Sequence, residues 1–441
     1  MRYKTWKGGG TVAKQPKKEK PAWFRLDNAA LLYSAIQKDS YSAVYRFSAV
    51  MTETVDPNAL QRAVDRVMPR FPGFRVRMRR GAFWYYLEPM NIPGPMVRPD
   101  IANPCQPIRA NEGDGWLLRV FFYEKRISLE CFHVLSDGAG ALVFFRTLLH
   151  TYLRELGYDL PLGDGMLNVE EEPRREELED AYTRYAAKHA VRDGWQKTAY
   201  AFLGTPEPFY TLNVIMGFVP LDRLKEVSRT YGVSVTEYLA AVLLKVFADL
   251  QAKEGRRKPR EVALAVPIDL RSHFPSDTLR NFIITIRPSI DPRLGAYTFE
   301  EIVSQVHHYM RLNIDRPRMQ ARFTGNVGFQ QNHLLQIIPV ALKNPILALS
   351  YQLAGVRPYS TTYTNPGAFR VPKEMASHIA RMEVMLGQPV GNRVNCASIS
   401  YGNTMDITFA STIQESDVER EFFRFLVKAG IPVKVESNRT H

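Results

Sequence analysis

His133 is followed four residues later by Asp137 and then by Gly138, in the run Phe132-His133-Val134-Leu135-Ser136-Asp137-Gly138-Ala139-Gly140. An imidazole, with an unperturbed pKa near 6.5, is well suited to removing a proton and returning it near neutral pH. A carboxylate inside the same turn can fix the ring's geometry, and the two glycines allow close backbone approach. The nine histidines of the chain would give only about 0.03 chance matches to this spacing at average composition. The bland alternative is a core histidine followed by an ordinary Asp-Gly turn, and for Gly138 and Gly140 simple turn chemistry is an equal reading.

The elements around the motif position it. Ile127 to Phe132 alternates and then turns continuously apolar, which predicts a strand. Leu142, Phe145, Leu149, Tyr152 and Leu156 recur at helical spacing, so the turn at Ser136 to Gly140 closes one element and opens the next. Upstream, a strand pattern from Tyr41 to Val55 runs into Asp56-Pro57, an N-cap with proline at the first helical position. Leu60, Ala63, Val64 and Val67 then mark a buried helix face. Phe83 to Leu87 suggests a further strand. From Gly157 to Pro208 an acidic run, Glu170 to Glu172, and a charged helical stretch, Glu176 to Arg192, read as a crossover and not as a third core.

The second half repeats this grammar. Phe209 to Val219 is strand-like, Pro220 opens a helix with Leu221, Leu224 and Val227, and Ser234-Val235-Thr236-Glu237 is a capping box. The helix that follows, Tyr238 to Leu250, is apolar nearly all round and should be deeply buried. The expected layout is α+β: a basic leader at 1–22, a first lobe at 23–160, a crossover at 161–208 and a second lobe at 209–441.

With 441 residues and 45% hydrophobic composition the chain can fill two substantial cores. No run of 18 apolar residues exists; Leu335 to Leu349 is broken by Gln336, Lys343, Asn344 and Pro345, and the first ten residues are polar and glycine-rich. A signal peptide or membrane span is therefore not expected, and a cytoplasmic location fits. Cys105, Cys131 and Cys396 show no paired spacing, and His307-His308 lacks carboxylate or thiol neighbours at metal-ligand spacing, so no metal and no bound cofactor are expected.

The net charge of +13 favours anionic partners. Lys14, Lys17, Lys18 and Lys20 lie in the leader, and Arg75, Arg77 and Arg79 alternate with Phe74, Val76 and Met78, which on a strand puts three arginines on one face. That face is either simply solvated or a landing surface for an acidic carrier protein, a phosphorylated carrier or anionic lipid. Nucleic acid ranks lower, because no recognisable binding motif interleaves the basic stretches.

With this two-lobed layout, the motif from His133 to Gly138 resembles that of the chloramphenicol-acetyltransferase-like superfamily, which includes condensation domains, BAHD-type acyltransferases, polyketide-associated acyltransferases and alcohol acetyltransferases. Other segments support the likeness: Asp56-Pro57-Asn58-Ala59-Leu60 through Phe71-Pro72-Gly73-Phe74-Arg75, Pro267-Ile268-Asp269-Leu270-Arg271 followed by Asn281-Phe282, Thr364-Asn365-Pro366-Gly367, and Ser400-Tyr401-Gly402. Condensation domains carry paired histidines where this chain has Phe132-His133. That departure, with Glu176 to Tyr182 and Ser234 to Leu239, is most similar to bacterial alcohol acetyltransferase-like proteins.

The resemblance implies two lobes, each a mixed sheet flanked by helices, with the site in a tunnel between them. It implies acyl transfer from acyl-CoA, as co-substrate, to an alcohol acceptor, with His133 as general base. Asp137 is implied to pair with Arg271 in a bidentate ion pair that locks the turn. Asn281 would support the site, and Asn365 and Tyr401 would line it, though each could equally be a buried group holding a strand. Two other readings stay open: a condensation-like enzyme taking an acyl-carrier thioester, and a non-catalytic binding member of the fold.

Overall fold

The computed structural model describes residues 23–36, 42–109, 112, 114–187, 196–208, 211–255, 257–330, 337–388 and 392–439. The basic leader thus lies outside the described residues. The first lobe is built on a five-stranded sheet in the order Ile379–Leu386, Val44–Met51, Arg126–Phe132, Leu118–Tyr123, Arg98–Pro99. The Val44–Met51 and Arg126–Phe132 strands are antiparallel, Val44 opposite Phe132 and Tyr45 opposite Cys131. The second sheet has eight strands and is mixed. Its main path runs Ile283–Ile286, Val262–Asp269, Thr361–Thr364, Val394–Tyr401, Thr404–Ser411, Asn213–Pro220, Lys434–Ser437, with Thr361–Thr364 parallel to both neighbours.

Local signals explain the helices. Asp56 accepts from the Asn58 and Ala59 amides, Pro57 opens the helix Pro57–Val67, and its Ala59, Leu60, Ala63, Val64 and Val67 are buried. Ser234 and Glu237 complete a capping box for Val235–Lys253, which is buried along most of its length. The alternation holds for part of the run: on the strand Val76–Arg80, Val76 and Met78 face inward and Arg77 and Arg79 do not, while Arg75 lies before the strand and Arg80 is exposed as well.

Two expectations need correction. The charged stretch from Glu176 is not one helix. Among the described residues, which stop at 187 here so that 188–192 of the stretch lie outside them, a 3-10 turn at Arg175–Leu178 is followed by the short helix Ala181–Tyr185, because the extended Asp180 turns its carboxylate onto the Thr183 amide and starts a new element. Glu177 is buried and meets Arg70 in a bidentate pair at 2.6 and 2.7 Å. Ala181 and Tyr182 also join Leu270, Phe274, Phe282, Ile284, Met319, Phe323 and Val327 in a third, smaller core, so the crossover does more than connect. The division by chain order is crossed too. The strand Ile379–Leu386 belongs by sequence to the second half, yet pairs along Val44–Met51, Val384 opposite Phe47. Its Val384 amide donates at 2.9 Å to Asp406 of the second sheet, holding the lobes together.

Candidate active site

The run from His133 to Gly140 leaves the strand Arg126–Phe132 and enters the helix Gly138–Glu155. It is fixed at nearly every residue. The His133 amide donates to Ala43 O at 3.0 Å, and the Tyr45 hydroxyl reaches the Ser136 and Asp137 carbonyls, both at 2.9 Å. Ser136 donates through Oγ to Leu279 O at 2.5 Å. Gly140 faces that same carbonyl: a Cβ there would collide with Leu279 O and Ser136 Oγ, whereas one on Gly138 would meet only Phe47, at 3.6 Å. The glycine that must be glycine is therefore Gly140, and Gly138 has room.

Asp137 is 1% exposed and divides its carboxylate between tasks. Oδ1 accepts from the Gly140 amide at 3.0 Å and caps the helix. Oδ2 accepts from the Phe282 amide at 2.7 Å and from Arg271 Nη1 at 2.9 Å. The ion pair joins the two halves of the chain, but through one N–H and not two. The rest of the guanidinium goes to Thr278 O at 3.0 Å, Arg280 O at 2.6 Å and Asp269 Oδ1 at 2.8 Å. Arg271 thus shapes the 278–282 segment as well as holding Asp137.

That segment presents Asn281 to the imidazole. Asn281 Nδ2 donates to His133 O at 3.0 Å and approaches both Asp27 carboxylate oxygens at 3.3 Å. With the amide nitrogen committed to acceptors, its Oδ1 is the atom that faces His133 Nδ1, at 3.4 Å. An acceptor there favours the proton on Nδ1 and leaves the Nε2 lone pair free. Tyr33 stacks on the imidazole at 4.6 Å and 20°, and Tyr45 tilts against it at 4.6 Å. Burial among these rings pushes the His133 pKa down to about 4, opposed by Asn281 and Asp137, so the half-buried ring is neutral at physiological pH.

Asn365 and Tyr401 have other partners. Asn365 donates to Thr236 Oγ1 at 3.0 Å and accepts from the Gly367 amide at 2.9 Å; Tyr401 donates to Ala376 O at 3.0 Å. Both hold loops. Asp27, Tyr33 and Tyr45 were not anticipated. Asp27 was legible as an N-cap before the apolar run Ala29 to Leu32, and its Oδ1 does accept from the Ala30 amide at 2.8 Å. Tyr45 follows from the pairing of its strand with the one before His133. No local signal marks Tyr33. Among the described residues no group of His, Cys, Asp and Glu could hold a metal.

No protein-family model and no curated protein matches the chain. Solved structures do. Polyketide synthase associated protein 5 from Mycobacterium tuberculosis superposes with a TM-score of 0.59 at 14% identity, covering 92% of this chain and 97% of that one. TRI101 of F. graminearum, complexed with coenzyme A and T-2 mycotoxin, gives a TM-score of 0.62 at 11% identity, covering 90% and 96%. The chain has the two-lobed fold of the chloramphenicol-acetyltransferase-like acyltransferases and condensation domains. The condensation domain from the Monacolin K polyketide synthase MokA shares this fold, with a TM-score of 0.56 at 12% identity over 92% of this chain and 96% of that one. At these identities the likeness is one of fold, and the chemistry must be argued from His133 and its neighbours.

Proposed function

We propose that the protein is an acyltransferase that moves an acyl group from a CoA thioester to an alcohol hydroxyl, with His133 as general base, as in the alcohol acetyltransferase-like proteins. The observation that carries this reading is the tie from Asn281 to both ends of His133, which orients the ring and favours the tautomer with its lone pair on Nε2. The acceptor hydroxyl gives its proton to Nε2 as its oxygen bonds to the thioester carbonyl carbon. Collapse of the tetrahedral intermediate breaks the C–S bond, and the proton held on Nε2 goes to the departing thiolate. No covalent enzyme intermediate is needed, and Cys105, Cys131 and Cys396 are all buried.

Asp137, Gly140, Arg271 and Asn281 act in this scheme as positioning residues, and the donor and acceptor reach Nε2 from opposite faces of the junction. A carrier-bound thioester is the second reading, favoured by the likeness to a condensation domain. Against it, Arg77 and Arg79 of the arginine face are both engaged by Glu88, at 2.6 and 2.9 Å. The test is thiol release from short- and long-chain acyl-CoAs across an alcohol panel, with product mass spectrometry and a carrier-bound thioester in parallel. His133→Ala should lower turnover by about 10²- to 10⁴-fold; full activity in that variant would refute the assignment.

A further inference from the structure

The helix Val340–Tyr351 is turned the wrong way round for water. Its one charged residue, Lys343, is 3% exposed; Nζ donates to Phe83 O at 2.8 Å and lies over the Trp84 ring at 3.2 Å from the centroid. Leu342, Ile346 and Leu349, which share a helix face, are 65%, 50% and 61% exposed, and Ile337 just before them is 67% exposed. A surface helix ordinarily does the opposite.

The surroundings of this face are aromatic and cationic. The Val340 amide donates to Ala82 O at 2.9 Å and Asn344 Nδ2 to Tyr85 Oη at 2.8 Å, which seats the helix on the hairpin between Val76–Arg80 and Tyr85–Pro89. That hairpin carries exposed Phe83, Arg79 and Arg80. The short strand Phe24–Arg25 pairs with the same hairpin and brings exposed Trp23, with Arg25 over its ring. The chain that leads into Trp23 contains Arg2, Lys4, Lys7, Lys14, Lys17, Lys18 and Lys20 against a single acid, Glu19.

Aliphatic side chains and an exposed tryptophan beside Arg25 and Arg80, in a chain of net charge +13, match the boundary of an anionic bilayer, where acyl chains lie under phosphate. We propose that this corner docks on an anionic membrane surface, with Leu342, Ile346 and Leu349 among the acyl chains and Arg25 and Arg80 against the headgroups. The cation surplus favours lipid over a second copy of this equally basic chain. Resting on the acyl-transfer reading is one consequence for the substrate: Val340–Tyr351 packs on the helix Asn28–Ile36, which lays Tyr33 on His133, so a lipid-borne hydroxyl is the acceptor class this position suits.

The experiment is co-sedimentation of the full chain with phosphatidylcholine vesicles, with and without phosphatidylserine. The protein should follow the phosphatidylserine vesicles and be released by salt. The triple variant Leu342→Ser, Ile346→Ser, Leu349→Ser should partition about tenfold less or weaker still, with an unchanged circular dichroism spectrum. Arg25→Glu with Arg80→Glu, an independent surface change, should also weaken binding. Partitioning of both variants equal to wild type, or indifference of the wild type to phosphatidylserine, would overturn the proposal. So would a dimer in solution that the triple variant dissolves. His133→Ala should bind vesicles as wild type does, so a failure of the catalytic assignment and a failure of docking are read separately.

Discussion

Removing the Asp137 carboxylate tests the junction from which the site is built. Asp137→Ala loses three interactions: the Gly140 cap, the Phe282 amide and the Arg271 ion pair. An N-cap is worth about 1 kcal/mol, an amide left without an acceptor costs about 1–3 kcal/mol, and breaking a buried pair on one side costs about 3–5 kcal/mol. These overlap, because Arg271 keeps Asp269, Thr278 and Arg280, so the expected loss is about 4 kcal/mol. Asp137→Asn can keep the cap but sets an amide against two donors, and should fall within about 1 kcal/mol of the alanine variant. In a double-mutant cycle with Arg271→Met the coupling should be about 2 kcal/mol. Urea unfolding followed by circular dichroism and fluorescence measures both, provided the two probes coincide. A loss below about 1 kcal/mol for Asp137→Ala, or strict additivity with Arg271→Met, would refute the reasoning.

Gly140→Ala must displace the Leu279 carbonyl and should cost about 1–3 kcal/mol and most activity, whereas Gly138→Ala should be nearly silent; thermal melts and thiol release compare them. With the His133 pKa at about 4, kcat/KM should hold as the pH falls from neutral and decline only as it drops through about 4, where the base becomes protonated. Stability carries two opposed slopes. His133, depressed from 6.5 to about 4, contributes stability that is present above pH 6.5 and lost as pH falls through about 4. Asp27, raised from 3.8 to about 6 by burial, contributes stability that is present below 3.8 and lost as pH rises through about 6. Asp27→Asn should therefore make stability fall more steeply between pH 6 and 4 than in wild type, as read from urea midpoints across that range; an unchanged slope would refute it.

Much of this architecture is local and so was legible in the chain. The capping box at Ser234 and the Asp56-Pro57 start act within a turn, and the alternation on Val76–Arg80 reflects one strand. The strand-to-helix passage through His133 was legible for the same reason. What escaped depends on distant packing. Tyr33 meets His133 only because a helix far upstream lies across the site, and periodicity cannot place one helix on another. Asp27 shows as a cap, but its reach to Asn281 is set by the meeting of both lobes. Glu177 looks like one of many surface acids, yet Arg70 draws it into the interior. Gly138 and Gly140 are indistinguishable in sequence; only the Leu279 carbonyl separates them. For Asn365 and Tyr401 the motifs left lining the cleft and holding a strand equally open, and only the fold shows their bonds, to Thr236 and Gly367 and to Ala376.

The strand Ile379–Leu386 also governs how the chain can be made. Until it is synthesised, Val44–Met51 stands with one edge unsatisfied, a template for wrong pairing. The first lobe cannot finish during translation of its own sequence and must wait for a segment from the last quarter of the chain. Cutting the polypeptide at the crossover would therefore yield two incomplete pieces and not two modules. A nascent chain stalled before this segment is the form that most needs a chaperone.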